Sequence, residues 1–198
     1  MRKFKIFLVA VLLLAVSVDA SAMIFGIRYS NINRPVLTPF EQNVNKGQFG
    51  IYFGERQKSS DFLLGIDYDR YKQERGDTLS YSRRFVIDFG YRYRVFSGDR
   101  AEAMKIMPFL GIHYFKSFGK VEADSTVMSE ADRKFYKDMA SDQGGWLSVG
   151  AEYAFAPAFS MGCEAGLRYS RAKSGAYGYT IKISEYRSFA AILLSFHF

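Results

Sequence analysis

Cysteine is almost missing from this chain. One residue, Cys163, occurs in 198, so no intramolecular disulfide can form and a disulfide-stapled fold is excluded. Histidine is nearly as scarce, with two residues, His113 and His197. Without cysteines or carboxylates clustered around them in sequence they offer no metal-ligand spacing, and no metal or cofactor is expected. There are four prolines and one tryptophan. Past residue 22 there is no apolar run of the ~18 residues that a membrane-spanning helix needs. A strong charge imbalance is missing too. The formal charge is +7, and Arg2, Lys3, Lys5 and Asp19 all fall in an amino-terminal leader. An excess that weak calls for no nucleic acid.

The leader is legible from its parts. Arg2, Lys3 and Lys5 make a basic start, and Ile6 to Val18 is apolar but too short to cross a bilayer comfortably. Ala20-Ser21-Ala22 is a small-x-small cleavage site. Residues 1–22 therefore read as a secretory signal peptide, and residues 23–198 as one exported domain. No cysteine follows the apolar run, so a lipoprotein anchor is not expected.

Aromatic residues are abundant: 14 tyrosines and 19 phenylalanines. They favour strands over helices. They also recur at every second position. The last segment, about Ile181–Phe198, places Tyr186, Ile192, Leu194, Phe196 and Phe198 of its final thirteen residues on one face. Seven further segments alternate in the same way, about Met23–Ile32, Lys46–Glu55, Asp61–Tyr71, Leu79–Phe96, Lys105–Phe118, Gly144–Phe155 and Phe159–Ser170. Between them Asn33–Asn45, Lys72–Thr78, Gly119–Gln143 and Arg171–Thr180 read as the longer or more polar connections. Arg28, Asp67, Asp69, Arg84, Asp88, Arg92, Arg94, Glu152, Glu164 and Arg168 share the glycine-rich face. The opposite face is apolar, with Tyr and Phe toward the strand ends. A soluble barrel wants its apolar face inside. Here the continuous apolar face with aromatic borders fits the outside of a barrel in lipid. The predicted fold is all-β, an eight-stranded antiparallel transmembrane up-and-down β-barrel.

The alternating end on Phe198, the leader and the eight segments together resemble the bacterial outer-membrane β-barrel domain family, in particular the small eight-stranded barrels of the outer-membrane protein A and X type. The resemblance covers nearly all of Met23–Phe198. It implies a monomer in the Gram-negative outer membrane, in contact with lipid and lipopolysaccharide. It also implies that Ile192, Leu194, Phe196 and Phe198 form the signal read by the barrel-assembly machinery, and that the interior is filled and polar.

Three sets of candidate residues follow. Arg28, Asp67, Asp88, Arg92, Glu152, Glu164 and Arg168 carry both signs on the inward face. An eight-stranded barrel is just wide enough for side chains to fill it, so they are expected to form a paired, salt-bridged network. Arg70, Arg83, Lys116 and Lys182 fall on the outward face, all basic and all toward the long-loop end, where lipid phosphates would attract them. His113 and His197 face inward, and Ser195 shares a face with His197. No acid lies near that pair in sequence, and no enzyme is expected. The long loop carries Ser129-Glu130-Ala131-Asp132, a capping pattern, with Val127, Met128, Ala131, Phe135 and Met139 at helical spacing. The expected role is structural or surface-interactive. A small passive channel, a lipid A-modifying enzyme and a soluble lipocalin-like carrier are the alternatives.

Overall fold

The computed structural model describes residues 22–32, 46–57, 59–75, 78–96, 105–123 and 128–198. The predicted leader, apart from Ala22, lies outside the described residues. The described residues form eight strands: β1 (Ala22–Ile32), β2 (Lys46–Arg56), β3 (Ser60–Arg75), β4 (Thr78–Arg94), β5 (Ile106–Ala123), β6 (Gln143–Ala156), β7 (Phe159–Ser174) and β8 (Ile181–His197). A helix, α1 (Glu130–Ala140), lies between β5 and β6. Each strand pairs antiparallel with its sequence neighbours, and β8 pairs with β1 to close the barrel.

The closure is staggered. Following paired residues around the wall from Ala22 leads through Arg56, Asp61, Arg92, Gly111, Ser148, Gly166 and Phe189 to Ile32 rather than back to Ala22. That displacement is the shear that fixes strand tilt and barrel radius together. Beyond the end of β8, Phe198 continues the seam. Its amide donates to the Met23 carbonyl at 3.1 Å, and the Met23 amide donates back to the Phe198 carbonyl at 2.8 Å.

Alternation decides which face is which. Along β7 and β8 the even-numbered residues of β7 and odd-numbered residues of β8 point inward. Leu147 and Val149, outward on β6, are 61% and 60% exposed, whereas Arg92 and Leu193, inward, are 1% and 0% exposed. The apolar face is therefore outside, and a soluble carrier with an apolar interior is excluded. Cross-strand aromatic pairs border the apolar belt. Toward the end holding Ala22 and Phe198 stand Phe25–Phe53, Phe62–Tyr91 and Phe159–Phe196; toward the helix end stand Tyr29–Phe49, Tyr68–Phe85 and Tyr169–Tyr186. From Phe159 to Tyr169 is about 33 Å at ~3.3 Å per residue. At the ~40° tilt usual for such strands this projects to about 25 Å, the apolar height of a membrane-spanning barrel.

Several strand boundaries differ from the sequence reading. Lys72–Thr78, predicted as a loop, is mostly paired strand: β3 runs to Arg75 and β4 begins at Thr78. The charges there signalled solvent, but solvent begins where the strands leave the lipid, not where pairing stops. For the same reason β5 continues to Ala123 and β7 to Ser174.

Deleting Phe198 removes both backbone bonds to Met23 and the ring that packs 5.7 Å from Phe196. The expected outcome is a lower folded, inserted fraction, read as a weaker heat-shifted band on unboiled gels, with export unchanged.

Candidate functional site: a packed polar lumen and a basic outer rim

The lumen is built from the glycine-rich faces of the strands. Small residues on that face make room for large charged ones beside them. A Cβ at Gly50 would collide with the Asp67 carboxylate, and one at Gly65 with that of Asp88. Into this space β1 sends Arg28. Its guanidinium donates to Asp67 Oδ2 at 2.7 Å and to Asp88 Oδ2 at 2.5 Å. His113 Nδ1 stands 3.1 Å from Asp88 Oδ1, and its ring stacks on Trp146 at 4.4 Å and 11°. Arg28 lies over the same indole at 5.3 Å. A cation desolvated against an aromatic face recovers part of its lost hydration energy from the ring quadrupole.

A second cluster sits nearer the end holding Ala22 and Phe198. Arg92 reaches Glu152 at 3.4 Å and Glu164 at 3.5 Å and lies over the Phe109 ring at 4.7 Å. Arg56 joins Glu152 at 2.8 Å and Asp61 at 3.2 Å, and Arg94 also pairs with Asp61. Arg168 covers the Phe115 ring at 3.6 Å. All seven predicted lumen residues are thus buried inward; Arg28 pairs with Asp67 and Asp88, and Arg92 with Glu152 and Glu164. The space left among Arg28, Asp67, Trp146, Glu164 and Arg168 is only about 10 Å³, room for about one water.

Sequence reasoning left several partners out of the network. Arg56 read as a turn residue and Asp142 as part of a loop. Asp142 in fact turns inward behind α1, where it pairs with Arg84. Its carbonyl accepts from the Ser117 amide at 2.8 Å. The signal available in sequence was register: Asp61, two residues before Leu63, shares the inward face.

At the helix end α1 packs against β5 and β7. Ser129 caps α1, accepting from the Asp132 amide at 3.1 Å, as the capping pattern predicted. Met128, Met139 and Ala140 are buried, whereas Ala131 and Phe135 are half-buried; Val127 lies outside the described residues. The Ser117 hydroxyl donates to the Ala140 carbonyl at 2.9 Å, and Ser174 to Asp138 at 2.8 Å. Tyr177 donates to Asp132 at 2.5 Å. That bond pushes the Tyr177 phenol up to about 12, because the carboxylate stabilises the protonated donor. Bonds from Ser129 and Tyr177 in turn hold the Asp132 carboxyl below its ordinary range.

Ser195 and His197 do not meet. Ser195 Oγ lies 2.6 Å from the Tyr52 hydroxyl. His197 Nε2 lies 2.8 Å from Ser160 Oγ instead, and Glu152 touches that serine at 3.4 Å. The acid is on the hydroxyl, not on the far nitrogen of the imidazole, which reverses the order of a nucleophile–base–acid relay.

Outside, Arg83, Lys116 and Lys182 lie on the outward face in the helix-end half of their strands. The Arg70 backbone pairs with Arg83, but its side chain lies outside the described residues. Lys116 stands 5.7 Å over the Phe118 ring, and Arg83 comes within 3.9 Å of Glu122. The rim is larger than predicted, because β5 and β7 extend further: Lys120, Arg171 and Lys173 are also outward and exposed. Glu122 interrupts its single sign.

No protein-family model matches the chain, and no curated protein matches it either. Solved structures do. Outer membrane protein H from P. aeruginosa superposes with a TM-score of 0.52 at 16% identity, over 90% of this chain and 100% of that one. Neisserial surface protein A superposes with a TM-score of 0.50 at 13% identity, over 90% of this chain and 98% of that one. Identities this low bear on the fold alone, and on that ground the chain has the fold of the small eight-stranded outer-membrane β-barrels.

Proposed function

We propose that this is a monomeric, non-catalytic barrel of the Gram-negative outer membrane, with a structural or surface-interaction role and a lumen that passes no solute. The observation that carries this reading is the filled interior: Arg28 and Arg92 each bridge two acids across the barrel, and α1 packs against β5 and β7 at the helix end. What the molecule offers its surroundings is then its outer surface, namely α1, the Tyr177–Tyr179 turn and the basic rim. On this reading Arg70, Arg83, Lys116 and Lys182 meet lipopolysaccharide phosphates, and Ile192, Leu194, Phe196 and Phe198 engage the barrel-assembly machinery. Planar bilayers containing the purified protein should show no stepwise conductance. Unitary steps in the parent would replace this reading with that of a channel. Altered lipid A in cells that express it would replace it with that of an enzyme.

A further inference from the structure

The outward residues paired across β7 and β8 change character in a fixed order. From mid-belt toward the helix end the pairs are Cys163 with Ile192, Ala165 with Ala190, Leu167 with Ser188, Tyr169 with Tyr186, Arg171 with Ser184 and Lys173 with Lys182. Small apolar side chains give way to hydroxyls and phenols, and those to three cations. All of these side chains are exposed.

The apolar part of this track is also concave. A groove of about 630 Å³ opens on the outer wall across β6, β7, β8 and β1, floored by Ala151, Cys163, Ala165 and Ala190 and walled by Tyr29 and Ile192. The wall falls back there because four short side chains stand where Leu, Phe or Tyr stand elsewhere in the belt. Lipid tails would fill such a depression, and a tail fixed in it loses fewer contacts than one lying on a convex wall. From Ala165 to Arg171 is about 20 Å at ~3.3 Å per residue along a tilted strand. That is the reach of one extended acyl chain and its linkage to a headgroup. Arg171, Lys173 and Lys182 then stand beyond the Tyr169–Tyr186 pair, where headgroup phosphates lie. Three cations with no outward acid among the track residues match a doubly charged phosphate headgroup better than a zwitterion.

We propose that the β7–β8 face binds one molecule of lipid A at a defined position, with an acyl chain in the Ala151–Cys163–Ala165–Ala190 groove and a phosphate on Arg171, Lys173 and Lys182. This deepens the reading of an outer-membrane barrel and rests on it. The probe is bisphosphorylated lipid A, compared with phosphatidylcholine of matched chain length, added to the full folded chain in detergent. Native mass spectrometry should show one retained lipid A per barrel and at least ten-fold less phosphatidylcholine. Lys173→Gln with Lys182→Gln should lower lipid A retention at least ten-fold, and so should Ala165→Trp, which fills the groove. Each variant is checked for its heat-dependent gel shift; if Ala165→Trp does not fold, Ala190→Leu takes its place. In the parent, bound lipid A should slow alkylation of Cys163 by N-ethylmaleimide at least ten-fold. Equal retention of the two lipids, undiminished retention by the groove-filling variant, or unprotected Cys163 overturns the site. A parent with no heat-dependent shift would instead overturn the barrel reading beneath it.

Discussion

Arg28→Ala is expected to lower the unfolding free energy by about 3–5 kcal/mol, the cost of leaving a buried ion pair without one partner. Arg28 lies within 2.7 Å of both Asp67 and Asp88, and all three are nearly inaccessible. Taking it away leaves two carboxylates close together in a space with room for about one water. The intact cluster is a different matter. Desolvating three charges offsets much of their attraction, so Arg28→Met with Asp67→Leu and Asp88→Leu should come near the parent's stability. The pair of results separates an uncompensated charge from a lost contact. Urea unfolding in lipid vesicles would measure both. The sole tryptophan, Trp146, lies 5.3 Å from the Arg28 guanidinium and reports on the cluster by its own fluorescence. An Arg28→Ala variant as stable as the parent would mean that the lumen is wet and its charges solvated. Glu164→Ala should cost less, because its contact with Arg92 is 3.5 Å and Arg92 keeps Glu152.

The second large effect lies on the other face. Val149 is outward and 60% exposed between the two aromatic borders. Val149→Arg should destabilise the barrel by about 2–4 kcal/mol in a bilayer, as a cation near the midplane does. Ser184→Arg, also outward but beside Arg171 beyond the Tyr169–Tyr186 pair, should cost only about 0–1 kcal/mol. The comparison uses vesicles, and the difference between the two sites is the quantity of interest. Equal costs would place the outward belt in water and remove the membrane assignment with it.

Most of the architecture was legible because alternation in a barrel wall is a strict code. Once Phe85, Ile87, Phe89 and Tyr91 share a face, Arg84, Asp88 and Arg92 must share the other. Strand ends were less legible. The sequence of Lys72–Arg75 is polar because it has left the lipid, yet it remains hydrogen-bonded to β4. Composition reports the solvent, whereas pairing reports the backbone. Partnership within the lumen was not legible either. Arg28 and Glu164 face the same interior, but which acid Arg28 reaches depends on stagger between strands, and no property of a single strand encodes that. Asp142 joined the lumen through the fold-back of α1, a tertiary event with no local trace beyond the Ser129 cap.

The seam between β1 and β8 carries a consequence for the route by which the barrel is made. Its partners, from Ile24 with His197 to Ile32 with Phe189, come from opposite ends of the domain, so this pairing closes the longest loop the chain contains. Until it forms, β1 and β8 each present a row of unpaired amides and carbonyls. In water those groups would be solvated. In hydrocarbon each costs several kcal/mol. An open sheet of eight strands therefore cannot wait in the bilayer for its ends to find one another. Either insertion and closure are one event, or something with a strand edge of its own holds β1 or β8 until the other arrives.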